Sequence, residues 1–210
     1  DGALAPLDTT QVSEDMSHAW YNSASASEHP FDGTTITDTT QPEAYSWCKA
    51  PRLAEKVVEV GAIARQVITG HPLIRDLVKA NGANVHSRVV ARLLEIALVT
   101  MAMEHWVRQF NPSETFCTHG NLPDACRGIG LTEAARGSLG HWIDVSKGVI
   151  ENYQIVAPTT WNFSPRDSTG TPGALEQALV GAPIRPGEGE PVSVQHIVRS
   201  FDPCLVCTVH

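Results

Sequence analysis

The last ten residues of the 210-residue chain, FDPCLVCTVH, combine residue types that bind metals. Cys204 and Cys207 are spaced i, i+3, which places two thiols on one face of a turn, with Asp202 before them and His210 after them. Thiolates are soft ligands that suit transition metals rather than magnesium or calcium. A structural zinc site needs four ligands, and the sequence has no second Cys-x-x-Cys pair. The segment therefore predicts part of a metal site whose other ligands lie elsewhere.

Three interpretations of this cysteine pair compete. A redox dithiol normally begins a helix that follows a strand, whereas Cys204 and Cys207 follow a predicted helix. A structural zinc half-site would need a partner to complete it. A catalytic transition-metal centre explains the two cysteines together with Asp202 and His210.

The other three cysteines carry a weaker signal. Cys117 and Cys126, with His119 between them, are conceivable metal ligands, but free cysteines are more commonly buried and inert. The same interpretation applies to Cys48. An odd number of scattered cysteines does not predict a disulfide framework.

Composition excludes several classes of partner. The formal net charge of -8 argues against sequence-independent binding to nucleic acid or to an anionic membrane, because both kinds of binding require clustered Lys and Arg side chains. The longest apolar run, LLEIALVTMAM, is interrupted by Glu95 and falls short of the roughly 20 residues of a membrane-spanning helix. The chain begins at Asp1 without a secretory signal, so we expect a processed protein or part of a longer one.

The apolar pattern predicts the elements that position the cysteine motif. Residues 1–50 are rich in Ser, Thr, Asp and Pro and are expected to be extended or looped, whereas residues 51–210 are expected to form a helical body. Helices are predicted over 51–69, 71–82 and 85–110. Apolar residues recur every three to four positions in the last of these helices, which predicts that it is mostly buried.

The second half of the chain changes pattern. Residues 146–148 form a predicted turn between two strand-like runs, giving a small β-hairpin. Short helices are predicted over 173–183 and 191–201, and the second leads directly into the cysteine motif. The predicted fold class is mainly α with a small β-hairpin.

The C-terminal motif resembles the DPCxxCxxH sequence that closes the mature large subunit of nickel-iron hydrogenases. This resemblance implies that the chain is the C-terminal half of that catalytic subunit and part of its multi-helical fold. It also implies that maturation cleaves the subunit after His210. Further segments resemble the family in the family's order: EDMSHAWY, YSWCKAPR, EAARGSLGHW and NYQIVAPTTWNFSPRD.

The resemblance implies a nickel-iron centre held by four cysteines, with carbon monoxide and cyanide on iron. By position, Cys204 resembles the terminal nickel ligand, and Cys207 resembles the thiolate that bridges nickel and iron. Arg136 resembles the arginine that assists heterolytic splitting of dihydrogen, and Asp202 would orient or neutralise it. The expected activity is reversible dihydrogen splitting, with Arg136, Asp202 and Cys204 as catalytic residues.

Two further sites follow from the resemblance. Thr159, preceded by Ala157 and Pro158, resembles the hydroxyl residue that donates to a cyanide ligand. His210 and the backbone carbonyl of Ile155 resemble part of a magnesium site.

The chain departs from the family pattern in two places. Ala135 stands where the family motif has proline before the arginine. The family's first cysteine pair, in an RxCGxCxxxH segment, is absent, so an N-terminal half must supply two further cysteines. Electrons would pass to iron-sulfur clusters in a small subunit, because no cluster-binding cysteine pattern is visible. The alternatives are a non-catalytic hydrogenase-like subunit of a respiratory complex and a structural zinc module at an interface.

Overall fold

The structure is a computed structural model of the chain and describes residues 4–22 and 27–208. The first part of the chain contributes short strands, which are β1 (Val12–Asp15), β2 (Tyr21–Asn22), β3 (Ser27–Glu28), β4 (Ile36–Thr37) and β5 (Ala50–Leu53). The middle part contributes helices and then a sheet, which are α1 (Ala62–Ile68), α2 (Pro72–Asn81), α3 (Val85–Gln109), β6 (Ala125–Ala134), β7 (Gly137–Ser146) and β8 (Val149–Val156). The last part contributes α4 (Pro158–Asn162), α5 (Ala174–Leu179) and α6 (Val192–Ser200).

The predicted fold class, mainly α with a small β-hairpin, is wrong. Helix accounts for 32% and strand for 22% of the described residues, so the fold is mixed α and β. The described residues form three antiparallel sheets, ordered β3-β1-β5, β2-β4 and β6-β7-β8. The expected hairpin is the β7-β8 part of a three-stranded meander, and its turn contains Lys147 and Gly148, both at positive φ.

The helix predicted over residues 51–69 is wrong in its first half. Residues Ala50–Leu53 instead form β5, which pairs with β1 in the register Val12 to Leu53. The α1 helix begins only after Gly61. The φ of +123° at Gly61 is a backbone conformation that glycine adopts readily and other residues rarely do. Strand pairing between segments about 40 residues apart leaves no local signal, because β propensity depends on the partner strand.

The remaining helix predictions are confirmed, with boundaries within a few residues. The α2 helix begins at Pro72, where proline fits the first turn. Asn84 caps α3, because its side chain accepts a hydrogen bond from the Ser87 N–H at 3.0 Å. The α5 and α6 helices lie within the ranges predicted for them.

The expected burial of α3 is wrong. Its buried residues are Ser87, Arg88 and Ala91, all in the first two turns. From Leu93 onward the large apolar side chains are mainly exposed. Among the helices of residues 4–22 and 27–208, none is both long enough and apolar enough to cross a membrane.

Two apolar clusters hold the elements together. One packs the sheets against α4, and the other packs the first three helices against one another. The first cluster contains Val12, Val60, Trp142, Val156 and Trp161. The second contains Ala62, Ile63, Ile74 and Ala91.

Buried polar contacts join α4 and the loop after it to segments earlier in the chain. The Asn162 amide pairs with both backbone groups of Val60, at 3.0 and 2.9 Å, which joins α4 to the segment before α1. Arg52 of β5 forms a buried ion pair with Asp167, with Nε and Oδ2 2.8 Å apart. The Arg52 guanidinium also donates to the backbone carbonyl of Thr171 at 3.1 Å. These contacts lock the loop after α4 onto the first sheet.

Candidate metal centre

The two C-terminal cysteines lie in a turn that follows α6. Asp202 takes a φ of +55° where the chain leaves the helix, and the Cys207 N–H donates to the Cys204 carbonyl at 3.0 Å. Hydrogen bonds from the backbone and thiol of Cys207 lower the pKa of the Cys204 thiol. Burial, together with its neighbour Cys204, raises the pKa of Cys207 to about 11. The two thiols therefore lie in one turn, and their pKa values shift in opposite directions.

Two thiols three positions apart in one turn fit part of the donor set of a transition-metal centre. A metal that binds both cysteines displaces both thiol protons. Among residues 4–22 and 27–208, no group of three or more His, Cys, Asp or Glu side chains is placed to hold a metal. The described part of the chain thus offers a partial ligand set at the cysteine motif.

Two arginines of α3 hold the residues that precede the motif. Arg92 donates to the Ser200 carbonyl at 2.7 Å, and its Nε lies 3.8 Å from Asp202 Oδ2. The Arg88 guanidinium lies 3.7 Å from the ring centroid of Phe201. Arg88 is itself held by Glu59 at 2.7 Å. Neither arginine was predicted as a site residue, because only the fold brings α3 to the end of α6.

Arg136 reaches the motif from the turn between β6 and β7. Its Nε lies 3.7 Å from Asp202 Oδ2, and both side chains are partly exposed. The turn packs tightly against the start of α1, because Gly61 and Gly137 both have positive φ and face each other. The structure therefore brings together the predicted residues Arg136, Asp202 and Cys204.

The α4 helix supplies the predicted threonine. Ala157 is the cap residue, Pro158 takes the first helical position, and Thr159 is buried. The Thr159 hydroxyl oxygen accepts a hydrogen bond from the Cys204 N–H at 3.3 Å. This contact fixes the backbone of the motif and leaves the hydroxyl hydrogen available to another acceptor.

A cavity of about 440 Å³ lies on the other side of Cys207. Ile155 of β8 lines it, so the predicted carbonyl donor is close to the cysteine motif. His210, its predicted partner in a magnesium site, lies outside the described residues.

Three further residues line the same cavity and were not predicted. Cys48 is buried, and its thiol lies 3.5 Å from the Cys207 carbonyl, where it can donate. Burial raises the pKa of the Cys48 thiol. Glu14 and Lys49 form a buried ion pair of 3.6 Å. Burial raises the pKa of Glu14, while Lys49 opposes that rise.

The separation of these residues explains why the sequence does not reveal them. Cys48 is 159 positions from Cys207, and no spacing rule connects the two. The expectation that Cys48 is buried is confirmed, but it contacts the motif. Cys117 was expected to be buried and is exposed.

Comparison with known proteins defines the family. The family model for nickel-dependent hydrogenases matches residues 2–210. The periplasmic [NiFeSe] hydrogenase large subunit of Desulfomicrobium baculatum is 36% identical over 228 residues, which cover 100% of this chain and 44% of that protein. The hydrogenase-1 large chain of Escherichia coli K12 is 34% identical over 254 residues, covering 97% of this chain and 41% of its own length.

Solved structures agree with this assignment. The Ni-Fe-Se hydrogenase from Desulfovibrio vulgaris Hildenborough in its as-isolated oxidised state matches with a TM-score of 0.86 and 32% identity. That match covers 98% of this chain and 46% of the solved one. The chain belongs to the nickel-dependent hydrogenase family. It spans less than half the length of the curated relatives described above.

Proposed function

We propose that this chain forms part of a hydrogenase large subunit and supplies two of the four thiolates of a nickel-iron centre. The observation that carries the proposal is the turn that holds Cys204 and Cys207, in which the Cys207 N–H donates to the Cys204 carbonyl at 3.0 Å and the Cys204 N–H donates to the Thr159 hydroxyl at 3.3 Å. Arg136 and Thr159, which come from separate elements, meet the same turn. The function is reversible heterolytic splitting of dihydrogen.

A nickel-iron centre with carbon monoxide and cyanide ligands would supply the redox-active metal pair for this reaction. Cys204 and Cys207 would hold that centre through their sulfur atoms. The Thr159 hydroxyl, which already accepts from the Cys204 N–H, would donate its own hydrogen to a cyanide ligand.

The charged residues beside the motif would handle the proton. Hydrogen bonds from Cys207 lower the pKa of the Cys204 thiol, and burial raises the pKa of Cys207; the positive charge of Arg136 lowers the pKa of both thiols to a smaller extent. Asp202 orients that guanidinium from 3.7 Å and is itself flanked by Arg92. A proton released during the reaction would be received at Cys204 Sγ, beside the positively charged Arg136 guanidinium.

Other polypeptide segments complete this function. The two remaining cysteines would come from an N-terminal half that carries the RxCGxCxxxH segment, which this sequence lacks. Electrons would pass to iron-sulfur clusters in a small subunit. A magnesium ion would be held by the Ile155 carbonyl and His210.

Infrared spectroscopy and metal analysis of the purified assembly test the proposal. The wild type should contain nickel and iron and show bands of metal-bound carbon monoxide and cyanide. Cys204→Ser and Cys207→Ser should lose both the nickel and the bands. Cys117→Ser is the matched control, because Cys117 is exposed and away from the motif, and it should retain them.

Two outcomes would contradict the proposal. A wild-type assembly without carbon monoxide and cyanide bands would exclude the nickel-iron centre. Zinc in place of nickel and iron would instead support a structural zinc module at Cys204 and Cys207.

A further inference from the structure

Arg92 of α3 binds the C-terminal end of α6. The last carbonyl groups of a helix have no partner within the helix, so other groups must bind them. The Arg92 guanidinium supplies such a partner, because its Nη2 donates to the Ser200 carbonyl at 2.7 Å. Asp202 lies two residues further on, with a φ of +55° where the chain leaves the helix. Arg92 is therefore fixed beside Asp202, just before the cysteine motif.

The Asp202 carboxylate lies between two guanidinium groups. Its Oδ2 is 3.8 Å from Arg92 Nε and 3.7 Å from Arg136 Nε. A direct charge-assisted bond between such groups is about 2.7–2.9 Å long, so both distances are too long for one. All three side chains line the same cavity, which has a volume of about 10 Å³. One carboxylate oxygen is thus shared almost equally by two positive charges.

The two arginines differ in what else holds them. Arg92 has its bond to the Ser200 carbonyl whatever the position of Asp202. Arg136 lies in the turn between β6 and β7, and its side chain is 45% exposed. Among the residues that the structure describes, Asp202 is the one acidic side chain within ion-pair distance of Arg136. The position of the Arg136 guanidinium therefore depends on Asp202, whereas the position of the Arg92 guanidinium does not.

We infer that Arg92 is a positioning residue, which holds Asp202 away from direct contact with Arg136 and so keeps the positive charge of Arg136 uncompensated beside the cysteine motif. Opposite charges attract, so Asp202 would close onto Arg136 if Arg92 did not attract it from the other side. A direct pair would compensate the charge that the reaction is proposed to use. The inference rests on the proposed function for the part that Arg136 plays, and on the distances to Asp202 for the part that Arg92 plays.

Arginine suits this role because it offers separate donors in one planar group. Nη2 of Arg92 is bound to the Ser200 carbonyl while Nε faces Asp202, and the planar group fixes the angle between them. A lysine would carry the same positive charge on one compact ammonium group. Arg92→Lys should therefore keep Asp202 between two charges, whereas Arg92→Met should not.

Crystal structures of the purified assembly test the geometry. In Arg92→Met, the shortest distance between the Asp202 carboxylate and the Arg136 guanidinium should fall to about 2.8 Å, the length of a direct bond. In Arg92→Lys, this distance should stay above about 3.5 Å. Arg108→Met is the matched control, because it removes an exposed arginine of the same helix that pairs with Glu104, and it should keep the wild-type distance.

Hydrogen-oxidation kinetics and nickel analysis of the same preparations test the role. Arg92→Met should lower kcat about tenfold and leave KM for dihydrogen unchanged, because the direct pair must break before Arg136 can act. Arg92→Lys should recover kcat to within about threefold of the wild type, because it restores the charge. Nickel content should be the same in all of these proteins, since Arg92 contacts Ser200 and Asp202 rather than the cysteines.

Several outcomes would overturn the inference. An unchanged or longer distance between Asp202 and Arg136 in Arg92→Met would do so, as would a direct bond between them in the wild type. A loss of nickel that matches the loss of kcat would show that Arg92 only supports the fold of the motif. Arg92→Lys as slow as Arg92→Met would show that the charge is not what matters. A wild-type assembly without nickel and iron would refute the proposed function, while the distances would still decide what Arg92 does.

Discussion

Replacement of Gly137 by alanine should destabilise the turn that presents Arg136 to the metal motif. Gly137 has a φ of +135°, and an added Cβ would lie 2.6 Å from Val60 Cγ2 and 2.8 Å from the Gly61 backbone nitrogen. The positive φ costs a non-glycine residue about 1–3 kcal/mol. Overpacking against these atoms costs about 1–3 kcal/mol more. The free energy of unfolding should therefore fall by about 2–6 kcal/mol.

Two other glycines separate these contributions. Gly148 has a φ of +73° but nothing within 4 Å of an added Cβ, so Gly148→Ala should cost only the conformational part, about 1–2 kcal/mol. Gly130 has neither a positive φ nor a close neighbour, so Gly130→Ala should change the stability by less than about 0.5 kcal/mol. Urea unfolding followed by tryptophan fluorescence measures all three, since Trp142 is buried in the same sheet.

The order of the three variants decides whether the reasoning is right. Equal losses for Gly137→Ala and Gly148→Ala would show that the turn does not pack closely against Val60 and Gly61. A large loss for Gly130→Ala would show that the sheet, rather than the turn, is sensitive to any added methyl group. On the proposed function, Gly137→Ala should also lower hydrogen oxidation by the assembly, because it displaces Arg136 from Asp202.

Three further predictions concern the ion pairs that hold the fold and the motif. Arg52→Met should lower the free energy of unfolding by about 3–5 kcal/mol in urea denaturation, because it leaves Asp167 buried without its cation. Burial by itself would raise the pKa of Asp167, but hydrogen bonds from Arg52 and nearby threonines outweigh burial and lower this pKa. The ionised Asp167 therefore contributes stability above its unfolded-state pKa. That contribution is lost as the pH falls through its folded-state pKa. In the wild type, the free energy of unfolding in urea should fall between neutral and acidic pH. A fall of the same size in Arg52→Met would contradict the assignment of this pH dependence to the Arg52–Asp167 pair. Arg92→Met should speed hydrogen exchange across residues 201–208, whereas Arg108→Met, which removes only an exposed pair on the same helix, should not.

Local signals in the sequence were sufficient for several elements. The α2, α3, α5 and α6 helices carry their own apolar rhythm, and proline or asparagine marks the start of α2 and α3. The turn at residues 146–148 was predicted from Ser-Lys-Gly, because glycine tolerates the positive φ found there. Such features depend on residues a few positions apart, so the chain need not be folded for them to be recognised.

Pairing between distant segments was not predictable in this way. The β1 and β5 strands are short and partly polar, and they form only because they pair with each other. Pro51, within Ala50–Leu53, favoured the wrong prediction of a helix start. The long β6 strand was missed because its alternating small and polar residues resemble the loop before it.

The sequence by itself determined the chemistry: two thiols three positions apart, preceded by Asp202, in segments that resemble a hydrogenase in the right order. Only the tertiary structure decided what surrounds them. It brought Arg92 to Asp202 and Cys48 to Cys207, and it left the second half of α3 exposed. The reason is physical, since a side chain's type sets which bonds it can form, whereas its neighbours and burial depend on packing between elements far apart in the chain.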